Sequence, residues 1–155
     1  VSRAELRRGA RLSVVQALYE MEIGGRGVVE AMAEFEAFWI GKQVEDIDLP
    51  KAEIAFFRDL LGGVVREQRL VDRSVDEVLA SGWPLKRVEA VVRAILRAGA
   101  YELAFRKDVP ARAVISEYVA VARAFYEGDE IGMINAVLDK MARDFRAEEF
   151  DAASA

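Results

Sequence analysis

Arg3, Arg7 and Arg11 are spaced by four, so on a helix they share one face, and Arg8 sits beside them. A guanidinium fork offers phosphate paired N–H donors, and a ladder of such forks suits successive phosphates of a nucleic acid. Arginines in the first turns of a helix also oppose its macrodipole, at about 0.3–1 kcal/mol for each badly placed charge, which argues for use rather than stability. A solvated helix end is the alternative that spacing alone leaves open. Other chemistry is harder to assemble. The chain has no histidine and no cysteine, which removes the usual general base, thiol nucleophile, soft metal ligand and disulfide. Its 27 acidic residues form no helical ligand pattern of the Glu-x-x-His kind, so solvation explains them and neither metal nor cofactor is expected. Three glycines in Gly24-Gly25-Arg26-Gly27 have no preceding strand and no following Gly-Lys-Ser/Thr, and read as a connector.

The elements that must position these residues follow from apolar periodicity. Ala10, Val14, Ala17, Leu18 and Met21 form a stripe that predicts an amphipathic helix over residues 4–23. A second helix is predicted over 28–40, with Met32, Phe35, Phe38 and Trp39 as its apolar face, and a third from Pro50, carrying Ile54, Phe57, Leu61, Val64 and Val65. Gly62-Gly63 inside the third would need a close helix neighbour to offset its propensity cost. The Ser74-Val75-Asp76-Glu77 run has capping-box spacing and predicts a short restarted helix. After the break at Gly82-Trp83-Pro84, Val88, Val91, Val92, Ile95, Leu96 and Leu103 predict a long central helix ending near Phe105. Pro110 opens a helix through Phe125, and another runs from about Ile131 to Phe145, after which the tail has little to anchor it. No segment alternates with period two for long enough to predict a sheet. The expected fold is all-α, a compact bundle of about six to seven helices in a single domain over residues 1–155.

Composition agrees with that architecture. Hydrophobic residues make up 53% and charged residues 32%, the balance of a globular chain rather than a disordered one. No apolar run approaches the ~20 residues of a membrane span, and the arginine-rich start leads straight into the first helix without a signal-peptide pattern, which predicts a cytoplasmic protein. The net charge of −5 argues against indiscriminate nucleic-acid binding. Its distribution says more, because residues 1–11 hold four arginines against Glu5 alone.

Five segments, in order, resemble the NusB family: Arg7-Arg8-Gly9-Ala10-Arg11 followed by Gln16-Ala17-Leu18-Tyr19; Phe57-Arg58-Asp59-Leu60-Leu61-Gly62-Gly63-Val64; Ala94-Ile95-Leu96-Arg97 with Tyr101-Glu102-Leu103; Asp108-Val109-Pro110; and Asn135-Ala136-Val137-Leu138-Asp139-Lys140. Each is weak alone, since most of these residues pack helices, but their common order covers nearly the whole chain. The resemblance implies an all-helical fold of two packed subdomains. It also implies binding to the boxA element of ribosomal RNA leader transcripts, with NusE, a ribosomal small-subunit protein, as partner in the RNA polymerase antitermination complex.

Carried over by position, the resemblance assigns Arg7, Arg8 and Arg11 to RNA phosphates, to which the ladder spacing adds Arg3, and Gln16 and Tyr19 to bases further along the same helix. Phe125, Asp129, Met133 and Asn135 fall on a second RNA-facing segment, and Glu89, Val92 and Arg93 on the partner-facing helix. Without the family, Tyr19 and Phe125 read as core aromatics, and Asp129 as a helix-start residue. Gly9 stands where the family often has arginine, Met133 where it has phenylalanine, and Val92 where a glutamate commonly faces NusE; Glu130 and Gly132 make the second segment more acidic. These departures leave room for an interaction module of the same fold without RNA recognition. NusB-like domains also occur fused to ribosomal RNA cytosine methyltransferases, but no cofactor-binding α/β pattern is present, so no catalysis is expected. The free chain's oligomeric state, including a homodimer, stays open.

Overall fold

The computed structural model describes residues 1–44, 47–79 and 88–154. The expected break at Gly82-Trp83-Pro84 lies outside them, as do Glu45 and Asp46. The chain divides into two compact units, Val1–Arg66 and Glu67–Ala155.

In the first unit, helix α1 (Arg3–Gly24) starts at a Ser2 N-cap that the periodicity argument passes over. The Ser2 hydroxyl accepts from the Glu5 N–H at 3.1 Å and donates to the Glu5 carboxylate at 3.2 Å. Glu5 thereby offsets part of the charge of the arginine-rich first turn. The helix ends at Gly25, whose φ of 68° is the left-handed cap that glycine adopts without strain. The glycine-rich run is therefore a connector. Ala10, Val14, Ala17 and Leu18 are buried as their spacing predicts, and α1 packs on α3 (Ile54–Arg66), which supplies Phe56, Phe57, Leu60, Leu61 and Val64. Helix α3 begins later than Pro50, because Pro50 is drawn into a loop contact in which its carbonyl accepts from the Gly41 N–H at 3.1 Å.

Helix α2 (Val28–Glu34) passes directly into a π-helical turn, Phe35–Trp39. The wider turn shifts the register of everything after it. Phe35 is buried and stacks on Phe57 at 6.2 Å, whereas Phe38, expected on the same apolar face, is 64% exposed. Against the expectation of no sheet, the following segment makes a minimal antiparallel ladder, β1 (Gln43–Val44) with β2 (Ile47–Asp48). Two residues per strand are too few to show periodicity.

The second unit contains α4 (Gln68–Val78), α5 (Ala90–Phe105), α6 (Ala111–Arg123), α7 (Asp129–Phe145) and α8 (Ala147–Ser154). Helix α7 packs against each of the other four. At Gly99 a β-carbon would come within 2.6 Å of a Leu138 methyl, so this glycine sets the close approach of α5 to α7. Ser74 does not restart a helix: it sits inside α4, its hydroxyl donating to the Leu70 carbonyl at 2.8 Å.

Helix α8 replaces the unanchored tail. Arg146 is fully buried, and its guanidinium donates to the carbonyls of Glu102, Leu103, Arg106 and Val109, closing the open end of α5. It also donates to Glu149 at 2.9 Å, and Glu149 in turn accepts from the Ala111 N–H at 2.9 Å, capping α6 from a distance. Phe150 is buried under the guanidinium groups of Arg112 and Arg143, at 5.1 and 4.6 Å.

Candidate nucleic-acid interface

The arginine ladder lies on one face of α1 as its spacing predicts, and most of that face is packed. Arg3 and Arg7 both donate through Nε to one carboxylate oxygen of Glu53, at 3.2 and 3.3 Å. Arg7 and Arg11 lie over the Phe56 ring at 4.4 and 5.0 Å. Arg11 is only 4% exposed, which removes it from direct contact with a phosphate and makes it a packing residue for this helix pair. Arg3 and Arg8 reach solvent. Burial pulls the Glu53 carboxyl upward, but hydrogen bonds from Arg3 and Arg7 outweigh it and hold the group below its ordinary range. Glu53 and Phe56, which sequence reasoning missed, thus fix the direction in which the arginines project. Gln16 and Tyr19, further along α1, are half-buried, as a site that shows one face of a ring requires.

Gly9 has a structural reason. It is buried against the Lys51 carbonyl, where a β-carbon would collide with backbone. An arginine there would first have to displace that loop.

The second predicted segment falls at the start of α7 and the turn before it. Phe125 is 38% exposed, Asp129 and Asn135 are exposed, and Met133 is half-buried. Asp129 and Glu130 occupy the first turn of α7, where negative charge is favoured by the helix dipole. Met133 helps to line a cavity of about 420 Å³ together with Val88, Glu89, Val92, Asp129 and Glu130. Its floor is apolar and its rim acidic, and one Glu130 carboxylate oxygen is buried without a hydrogen-bond partner among the described residues. Val92, expected to face a partner, is 2% exposed and lines this cavity. Glu89 is exposed and Arg93 half-buried. Among the described residues no group of three or more acidic, histidine or cysteine side chains is placed to hold a metal ion, and no helix is long and apolar enough to cross a membrane.

Comparison with known proteins places this geometry in a family. A family model described as the NusB family matches residues 8–143. The transcription antitermination protein NusB of Rhodopseudomonas palustris (strain TIE-1) is 62% identical over 148 residues, 96% of this chain and 85% of that protein. The chain belongs to the NusB family. A second NusB, from Nitrobacter hamburgensis, is 59% identical over 96% of this chain and 92% of its own length. Among solved structures, T. maritima NusB superposes with a TM-score of 0.76 at 26% identity, covering 94% of this chain and 96% of that one. A chain from the crystal structure of antitermination factors NusB and NusE in complex with double-stranded RNA has the same fold, with a TM-score of 0.74 at 22% identity, over 91% and 98% of the two chains. The family model begins at Arg8, so Arg8, Gln16, Tyr19 and the start of α7 lie within it, while Arg3, Arg7 and α8 lie outside its bounds.

Proposed function

We propose that this NusB-family chain is an RNA-binding transcription antitermination factor, acting in the cytoplasm with NusE on boxA-like single-stranded RNA of ribosomal RNA leaders. The observation that carries the reading is the 62% identity, over 96% of the chain, to a protein named for transcription antitermination. The exposed arginines and Tyr19 on α1 supply suitable chemistry. Arg3 and Arg8 meet phosphates, Arg7 and Arg11 brace them through Glu53 and Phe56, and Gln16 and Tyr19 meet bases by hydrogen bonding and stacking. On α7 and the turn before it, Phe125 offers a second ring, Asp129 meets base donors rather than phosphates, and the Asn135 amide adds a neutral donor and acceptor. The apolar cavity with its acidic rim, reached by Glu89, Val92 and Met133, suits a protein partner presenting an apolar side chain beside a cation, and NusE is assigned to it. On this reading the protein works by binding.

Titration of labelled boxA RNA with the chain alone, with NusE alone and with both tests the reading. Affinity rises when both proteins are present and falls at least about tenfold, some 1.4 kcal/mol, for a base-permuted RNA. The packing of Arg7 and Arg11 favours one competitor, a protein-interaction module without RNA recognition. Such a module binds NusE but leaves both RNAs unbound.

A further inference from the structure

The groove between α6 and α7 is absorbed by none of the roles above. It has a volume of about 370 Å³ and is lined from α6 by Arg112, Ser116, Val119 and Arg123, and from α7 by Asn135 and Asp139. The α6 residues are spaced by four, three and four, which puts them on one helix face over a length of about 16 Å. Asp139, the one acid among these six, is taken by Arg143, whose Nε donates to it at 2.9 Å. Arg123 has no acidic partner among the described residues, and Arg112 rests on the Phe150 ring at 5.1 Å rather than on a carboxylate. Ser116 and Asn135 are exposed and add neutral donors between the two cations. In a chain of net charge −5 such a concentration of uncompensated guanidinium groups repels cations and basic segments and draws in anions.

We propose that this groove is a phosphate track for single-stranded RNA, in which Arg112 and Arg123 hold two backbone phosphates while Ser116 and Asn135 donate to phosphate or sugar oxygens. It rests on the RNA-binding reading above and extends it. Two features favour RNA backbone over a small anion. The cations stand at opposite ends of the groove, with apolar Val119 between them, which fits a repeating chain of charges linked by less polar sugars. The groove is also continuous with the segment already assigned to RNA, since Asn135 lines it and Phe125 follows Arg123 closely in sequence.

The test uses the full chain with NusE and two RNAs, a boxA core and the same core extended on both sides. Wild-type protein shows a steeper salt dependence on the extended RNA, by about 1.4 in log-log slope for two added phosphate contacts. Arg112→Gln with Arg123→Gln abolishes that difference and leaves binding of the core unchanged. Ser116→Glu, which removes no arginine, weakens binding of the extended RNA alone by about fivefold or more, about 1 kcal/mol. Circular dichroism melts confirm that both variants fold. Equal slopes for the wild type on the two RNAs would overturn the proposal, as would a double variant that keeps the steeper slope or loses the core equally. A double variant that keeps RNA binding but loses affinity for NusE makes the groove a protein surface and overturns it too. Failure of the wild type to bind even the core overturns the RNA-binding reading itself, and the track with it.

Discussion

Arg7 and Arg11 show how a spacing argument can place residues on the right face and still misjudge their work. Intervals of four put Arg3, Arg7 and Arg11 together, and that face packs against Glu53, just before α3, and Phe56, within its first turn. Nothing within α1 reveals it, because the ring that covers the arginines belongs to another part of the chain. Tyr19 is half-buried on the same helix. Tyr19→Ala is expected to weaken boxA RNA binding by about 1–3 kcal/mol with little change in melting temperature; a lowered melting temperature at unchanged affinity would make it a core residue. Val92 is the opposite case. At 2% exposure, beside Glu89, Asp129 and Glu130, a carboxylate there would be buried close to like charges, with no cation among the described residues that line the cavity. Val92→Glu is expected to destabilise the free chain by several kcal/mol in urea unfolding. A variant as stable as the wild type, with altered NusE affinity, would return Val92 to the surface.

Helices with regular amphipathic stripes were legible from the residues alone: α1 buries Ala10, Val14, Ala17 and Leu18, and α5 buries Val92, Ile95, Leu96 and Leu103, as their periodicity selects. Elements defined by long-range partners were not. The π turn after Glu34 breaks the period on which the argument depends, and so sends Phe38 outward. Helix α8 is held by Arg146, Glu149 and Phe150, whose partners on α5 and α6 and around them appear only when the chain is folded. This latch carries a pH signature. Hydrogen bonds from Arg146 and from the Ala111 N–H hold the Glu149 carboxyl below its ordinary value of 4.5. A carboxylate with a depressed folded-state pKa contributes stability above its unfolded value, and that contribution is lost as pH falls through the folded one. Glu149→Gln should therefore lower the melting temperature at neutral pH, and the gap from wild type should close as the solution is taken below about 4.5. A gap independent of pH would mean that Glu149 acts through shape rather than charge.

At the scale of the molecule, composition excluded whole classes of chemistry but selected no function; a net charge of −5 hides a cationic start and a cationic groove. The ordered motifs carried the rest, and their reach ended at the residues where this chain departs from its relatives. The account predicts a modest salt dependence on a short boxA RNA, with a log-log slope of about −1.4 if Arg3 and Arg8 each neutralise one phosphate. Replacing both by glutamine should bring the slope close to zero, and an unchanged slope would remove the start of α1 from the interface. The claim that binding serves antitermination is tested most directly by transcription itself. On a template with a boxA leader upstream of a terminator, RNA polymerase supplied with its other antitermination factors should read through more often when this chain and NusE are both present. A permuted boxA should abolish the gain. Read-through that is unchanged by a folded chain shown to bind the leader RNA and NusE would contradict the account.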